Sequence, residues 1–165
     1  MKKLALALVV LAVSFAAVAV DHKPPPVNDP FLDNLVGHWK ITRKVHGTTV
    51  VNTLEVKWVL QHKFLELHMK DVADPPEYEA LVLIGYDGVA ERYVAHWMDD
   101  YGGAYSVLGY GKRQGNSIEF KFEYPDGPFY NTFNWEPNAA GWKMVLESTK
   151  DGKREPFAED TVRRK

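Results

Sequence analysis

The sequence predicts an all-β protein: a ten-stranded antiparallel up-and-down β-barrel with a short N-terminal helical plug. Three observations predict it. From Gly37 onward, nine breaks rich in turn residues divide the chain into ten short runs, spaced near the roughly 8 to 12 residues of a meander. Within the runs, apolar and polar residues alternate with the period of a strand. Strands that are wet on only one face would leave an open sheet with two bare edges and an uncovered apolar face, and closure into a barrel removes both.

Ahead of the barrel, Met1-Lys2-Lys3 is a basic head, Leu4 to Val18 is an apolar run, and Ala17-Val18-Ala19 is a small-x-small cut site. Residues 1–19 therefore read as a bacterial-type signal peptide, and the mature chain is expected to begin near Val20 in a periplasmic or secreted location. The competing reading is an uncleaved anchor, but a spanning helix needs roughly 20 apolar residues. Residues 20–30, with Pro24-Pro25-Pro26, read as an extended linker to a barrel domain at 31–165. At the boundary, Asp29 suits an N-cap, Pro30 the first helical position and Gly37 the exit, with Phe31 and Leu35 on one face.

The breaks fall at His46-Gly47, Gln61-His62, Asp74-Pro75-Pro76, Asp87-Gly88 and Tyr101-Gly102-Gly103, then at Gln114-Gly115-Asn116, Pro125-Asp126-Gly127, Pro137-Asn138 and Asp151-Gly152. In "SIEFKFEY", Ile118, Phe120, Phe122 and Tyr124 share one face, against Glu119, Lys121 and Glu123 on the other. "NTLEVKWVL" puts Leu54, Val56, Trp58 and Leu60 together, and "WKMVLES" does the same for Trp142, Met144 and Leu146.

Cysteine is absent, so no disulfide supports the fold and the core must do so alone. Without the signal, 18 basic residues face 22 acidic ones, a net charge of −4 with no basic stripe, which excludes a phosphate-backbone partner. No Asn-x-Ser/Thr acceptor occurs.

Barrel diameter grows with strand number, and eight strands already hold side chains or one small ligand. Ten strands are expected to keep a cavity for a small hydrophobic molecule, lined by Trp39, Trp58, Trp97, Phe120, Phe122, Tyr124 and Met144, with Leu60 on the same face as Trp58. The competing reading is that these rings fill the barrel, which would then act through its surface as an interaction module. No stable membrane insertion is expected after signal cleavage.

The Gly-x-Trp of "LVGHWK", after a short helical turn, resembles the N-terminal signature of the calycin superfamily of lipocalins and fatty-acid-binding proteins. In those families the Trp closes one barrel end under a basic side chain from near the chain end. The resemblance makes Gly37, Trp39 and either Arg163 or Arg164 a structural latch. Closer still, "FLDNLVGHWK", "VKWVLQHKFLEL", "LIGYDGVAERYVAHWMDD" and the closing "VLESTKDGK" and "EDTVRRK" resemble the exported calycin-like family called domain of unknown function 1579. That family often has Gly-Gly where this chain has Gln61-His62. Only "KVHGTTV" separates the first two strands, which leaves no room for the two-helix lid of fatty-acid-binding proteins.

The chain also resembles, distantly, the ten-stranded nitrobindins, which hold haem through a histidine near the C-terminus. This resemblance implies an alternative haem-binding or isomerase-type role, but the last histidine here is His96. The run "RYVAHWMD" is apolar on both faces, so parity leaves open whether His96 or Trp97 points inward; an inward His96 would be the polar anchor or haem ligand. The other histidines, His22, His38, His46, His62 and His68, form neither His-x-His nor His-Glu-x-x-His, so no metal site is expected. Asp99 and Asp100 precede Tyr101-Gly102-Gly103 and suit a turn. No Gly-x-Ser-x-Gly, phosphate loop or dinucleotide fingerprint occurs, so nothing assigns catalytic residues.

Overall fold

The computed structural model describes residues 23–165. The expected signal peptide, its expected cut near Val20, the first residues of the expected linker and His22 lie outside the described residues. One α-helical turn, α1 (Pro30–Asp33), precedes the strands β1 (Gly37–Val45), β2 (Thr48–Val59), β3 (Phe64–Asp71), β4 (Glu79–Asp87) and β5 (Arg92–Asp99). Five more follow: β6 (Val107–Gln114), β7 (Ser117–Tyr124), β8 (Gly127–Glu136), β9 (Gly141–Lys150) and β10 (Lys153–Arg164). Each strand pairs antiparallel with the next, and β1 closes on β10, so the sheet is a ten-stranded up-and-down barrel without an edge.

Local chemistry sets the turns. His46-Gly47 and Asp151-Gly152 have positive φ at both residues, +47° and +81° in the first, +51° and +73° in the second. Two consecutive left-handed residues give a turn whose twist matches that of the flanking strands. After Asp87 the chain needs four residues to turn, and the Asp87 carboxylate accepts from the backbone N–H groups of Val89 and Ala90, both at 3.1 Å.

The alternation of "SIEFKFEY" holds: Ile118, Phe120 and Phe122 are buried, with Glu119, Lys121 and Glu123 exposed. On β5, Tyr93, Ala95 and Trp97 take the interior, which places His96 on the outer face with Val94. The β2 run departs from its expected length. Leu60, Gln61 and His62 are all left-handed, at φ +50°, +59° and +64°, so the strand ends at Val59 and Leu60 stands 65% exposed in the turn.

Up-and-down order gives the barrel two unlike ends. At the α1 end lie the start of β1 and the β2–β3, β4–β5, β6–β7 and β8–β9 connections; the remaining connections form the opposite rim. The core is concentrated toward α1, where Leu35, Trp39 and Trp142 are fully buried beside Phe31, Leu32 and Ile118.

Candidate functional site

Two places could carry function: the α1 end and a cavity at the opposite rim. At the α1 end, Asp29 caps the helix by accepting from the Phe31 N–H at 2.9 Å. The same carboxylate accepts from the Tyr93 hydroxyl and lies 3.7 Å from Arg113. Burial and the neighbouring Asp29 push the Tyr93 phenol above its usual range. Phe31 meets Trp142 edge-on at 4.9 Å and lies under the Arg113 guanidinium at 4.6 Å.

Carbonyls left unpaired beyond a helical turn need outside donors, and barrel side chains supply them. Trp39 Nε1 donates to Leu35 O at 2.6 Å, Arg164 to Val36 O at 2.8 Å, and Trp142 Nε1 to Asn34 O at 3.4 Å. Trp58 Nε1 donates to the Asp33 carboxylate at 2.8 Å and its ring stacks on His62 at 4.1 Å.

The residues of the resembled latch meet here. Arg164 lies over the Trp39 ring at 4.1 Å, within the range of an attractive cation–π contact. Arg163 turns away, donating to Trp142 O at 3.2 Å and Glu136 at 2.8 Å. Gly37 has φ +130°, and any Cβ there would fall on Arg164 Nη1; glycine is what lets the guanidinium reach the indole.

At the opposite rim is a cavity of about 570 Å³. Its walls are Val45, Val50, Tyr78, Tyr101, Tyr105, Tyr124, Phe129, Leu146 and Phe157; Arg43, Asn52 and Trp97 lie deeper. The rings contact one another, Tyr105 with Tyr101 and with Tyr124 at 6.2 Å each, and Phe129 with Phe157 at 5.3 Å.

The deep part is polar. Arg43 and Asp160 are register partners across the β1–β10 seam, joined by two 2.8 Å hydrogen bonds, Nε to Oδ1 and Nη2 to Oδ2. Asp160 is fully buried. Burial alone would lower the Arg43 guanidinium, and the hydrogen bonds and charge of Asp160 more than offset this, holding it above its usual range. Beside it, Trp97 Nε1 donates to Asp99 at 3.2 Å and Tyr78 OH donates to the same carboxylate at 3.3 Å.

Burial first, then the Asp99 charge, pushes the Tyr78 phenol well above its usual range. Burial with the Asp99 and Asp126 charges pushes Tyr124 up to about 12. Asn52, 1% exposed, keeps a buried Oδ1 with no hydrogen-bond partner, as does Thr149 Oγ1 on the cavity wall; Asn131 Oδ1, also unpaired, is not part of the lining. Buried polar atoms in folded proteins are nearly always paired, so such a set marks a place for a ligand or water.

Of the residues expected to line a cavity, Trp97 and Tyr124 do so. Phe120, Phe122 and Met144 are packed into the core, Trp58 sits at the α1 end, and Leu60 is outside the barrel. His96 is corrected as an interior anchor: it faces outward and its Nε2 hydrogen-bonds Ser106 Oγ at 2.9 Å. No histidine lines the cavity, so its residues do not fit a haem held through histidine. Among the described residues no cluster of three or more His, Asp or Glu could hold a metal ion. Sequence reasoning missed Arg43, Asn52, Asn131 and Asp160, although their inward parity among Ile41, Leu54, Phe133 and Val162 was the available signal.

A second concavity, about 640 Å³, lies on the outer wall among Arg92, Tyr110, Lys121, Tyr130 and Arg154. Its two arginines are engaged: Arg92 lies over Tyr110 at 3.8 Å, and Arg154 lies over Tyr130 at 3.4 Å while bonding Glu119 at 2.7 Å.

A closed antiparallel barrel with an aromatic cavity at one end is compatible with a ligand-binding barrel and consistent with the calycin likeness. Residues 26–159 match the model of a family described as protein of unknown function (DUF1579), and the chain belongs to that family. No curated protein matches the chain.

Proposed function

We propose that this is an exported binding protein that holds one small, mainly apolar molecule in the rim cavity. The observation that carries it is a cavity of about 570 Å³ walled by aromatic rings around buried acceptors without partners. That volume falls within the roughly 300 to 1,000 Å³ of small-molecule sites, and few convergent polar groups in an apolar setting are their usual composition. In this reading α1 is a plug, Gly37, Trp39 and Arg164 latch it to the barrel, and ligand enters only by the other rim. The apolar run at residues 4–18 supports export.

The test uses the neutral apolar dye N-phenyl-1-naphthylamine and the mature chain. Its fluorescence is expected to rise and saturate at one dye per protein. Val50→Trp, which fills the cavity from its wall, should abolish the rise and leave the melting midpoint unchanged. Dye binding that survives Val50→Trp would place the dye elsewhere and end this reading.

A further inference from the structure

We infer that the molecule held in the cavity is an organic cation, a protonated amine on an apolar body. This rests on the cavity being a binding site and names the chemistry it takes. The lining residues include one cation, Arg43, and Asp160 already neutralises it through two hydrogen bonds. The lining acids are not neutralised: among the described residues neither Asp99 nor Asp126 forms an ion pair. Asp99 receives only neutral donors, from Tyr78, Trp97 and the Tyr101 backbone.

The rim extends the asymmetry. Its five connections, 46–47, 72–78, 100–106, 125–126 and 151–152, carry Asp74, Glu77, Asp100, Asp126 and Asp151 and contain neither lysine nor arginine. Of these acids only Asp126 lines the cavity; Asp74, Glu77, Asp100 and Asp151, like the flanking Lys150 and Lys153, stand outside its lining. With Arg43 neutralised, Asp99 and Asp126 leave the lining negative, and a site of one sign concentrates ligands of the other.

Acidity alone would not identify a site; the interior supplies the independent observation. Asn52, 1% exposed and lining the cavity, presents an unpaired carbonyl oxygen, and Thr149 presents an unpaired hydroxyl. These acceptors call for an N–H donor, which an amine brings and a carboxylate lacks. Rings of Tyr78, Trp97, Tyr105 and Tyr124 add aromatic surface, which attracts cations. A fatty-acid carboxylate would instead face Asp99 and Asp126 with no unpaired cation to receive it.

Calorimetric titration with three probes of equal chain length tests this: decylammonium, decanol and decanoate, each below its micelle concentration and at about 0.15 M salt. The cation is expected to bind at least tenfold tighter than decanoate, with decanol between them. Asp99→Asn, which keeps an acceptor toward Trp97, should reduce that ratio at least fivefold. Asp126→Asn, on an exposed turn where folding is not at stake, should reduce it by a smaller factor. Decanoate binding as tightly as the cation, or a ratio unmoved by both variants, would overturn the charge assignment while decanol binding kept the cavity reading. Failure of all three probes would overturn both.

Discussion

The two ends of the barrel treat polar atoms in opposite ways. At the α1 end, the carbonyls of Asn34, Leu35 and Val36 each find a donor from Trp142, Trp39 or Arg164, and the side chains between them are fully buried. At the rim end, Asn52 and Thr149 keep acceptors without partners, around open volume. Both ends are rich in aromatics, so composition does not separate them. What separates them is whether the rings are locked by hydrogen bonds and close packing, and this teaches that one end is built for stability while the other keeps open volume.

The comparison can be broken most forcefully at Trp39. Replacing it with alanine removes a fully buried indole and the Leu35 bond, an expected loss of about 3 to 5 kcal/mol. Urea unfolding should show it as a lowered midpoint; an unchanged midpoint would mean that the α1 end does not hold the barrel together. Asp160→Ala leaves Arg43 buried and unpaired, and breaking such a pair costs about 3 to 5 kcal/mol. The double variant Arg43→Met with Asp160→Leu should recover most of that stability, since it is the lone charge that is costly.

Arg164→Ala loses a cation–π contact and two backbone bonds at a partly exposed site, for an expected 1 to 2 kcal/mol or so. Lysine should restore little, because it lacks the planar fork. Tyr105→Ala at the rim, where the ring is 46% exposed, should cost no more than about 0.5 kcal/mol and still weaken ligand binding. A stability loss as large as that of Arg164→Ala would erase the distinction between the ends.

The smallest effect lies on the wall between them. Hydrogen bonds from Arg154 hold the Glu119 carboxyl below its usual value of 4.5. Because the folded value is depressed, the pair contributes fully above that pH and is lost as pH falls through the folded pKa. Both side chains are about two-fifths exposed, so the contribution is about 0.5 kcal/mol or less. The stability difference between the native chain and Glu119→Gln should therefore shrink between pH 7 and pH 3.

Most of the fold was legible in the sequence, because turn residues and period-2 alternation are local signals. Asp151-Gly152 and "SIEFKFEY" needed nothing beyond their own neighbourhood. Leu60 was misread since three left-handed residues without a glycine give no warning in sequence. His96 and Trp97 could not be ordered because the outer face of β5 also carries Val94 and Met98, apolar and half-buried. The cavity was least legible: Arg43 and Asp160 are 117 positions apart, and only barrel closure brings them together.

That closure has a kinetic consequence. Every other pairing in the sheet joins neighbouring strands, so nine hairpins can form locally, while the β1–β10 seam has to bring together residues such as Trp39 and Arg164 from opposite ends of the domain. Long loops are slow to close and give nothing back until their contacts form. The seam is therefore expected to be the last part of the sheet to assemble, and before it forms the sheet has two free edges, open to pairing with another chain. The ion pair that holds the cavity-lining Arg43 sits on that seam, so the cavity is complete only in molecules whose barrel has closed.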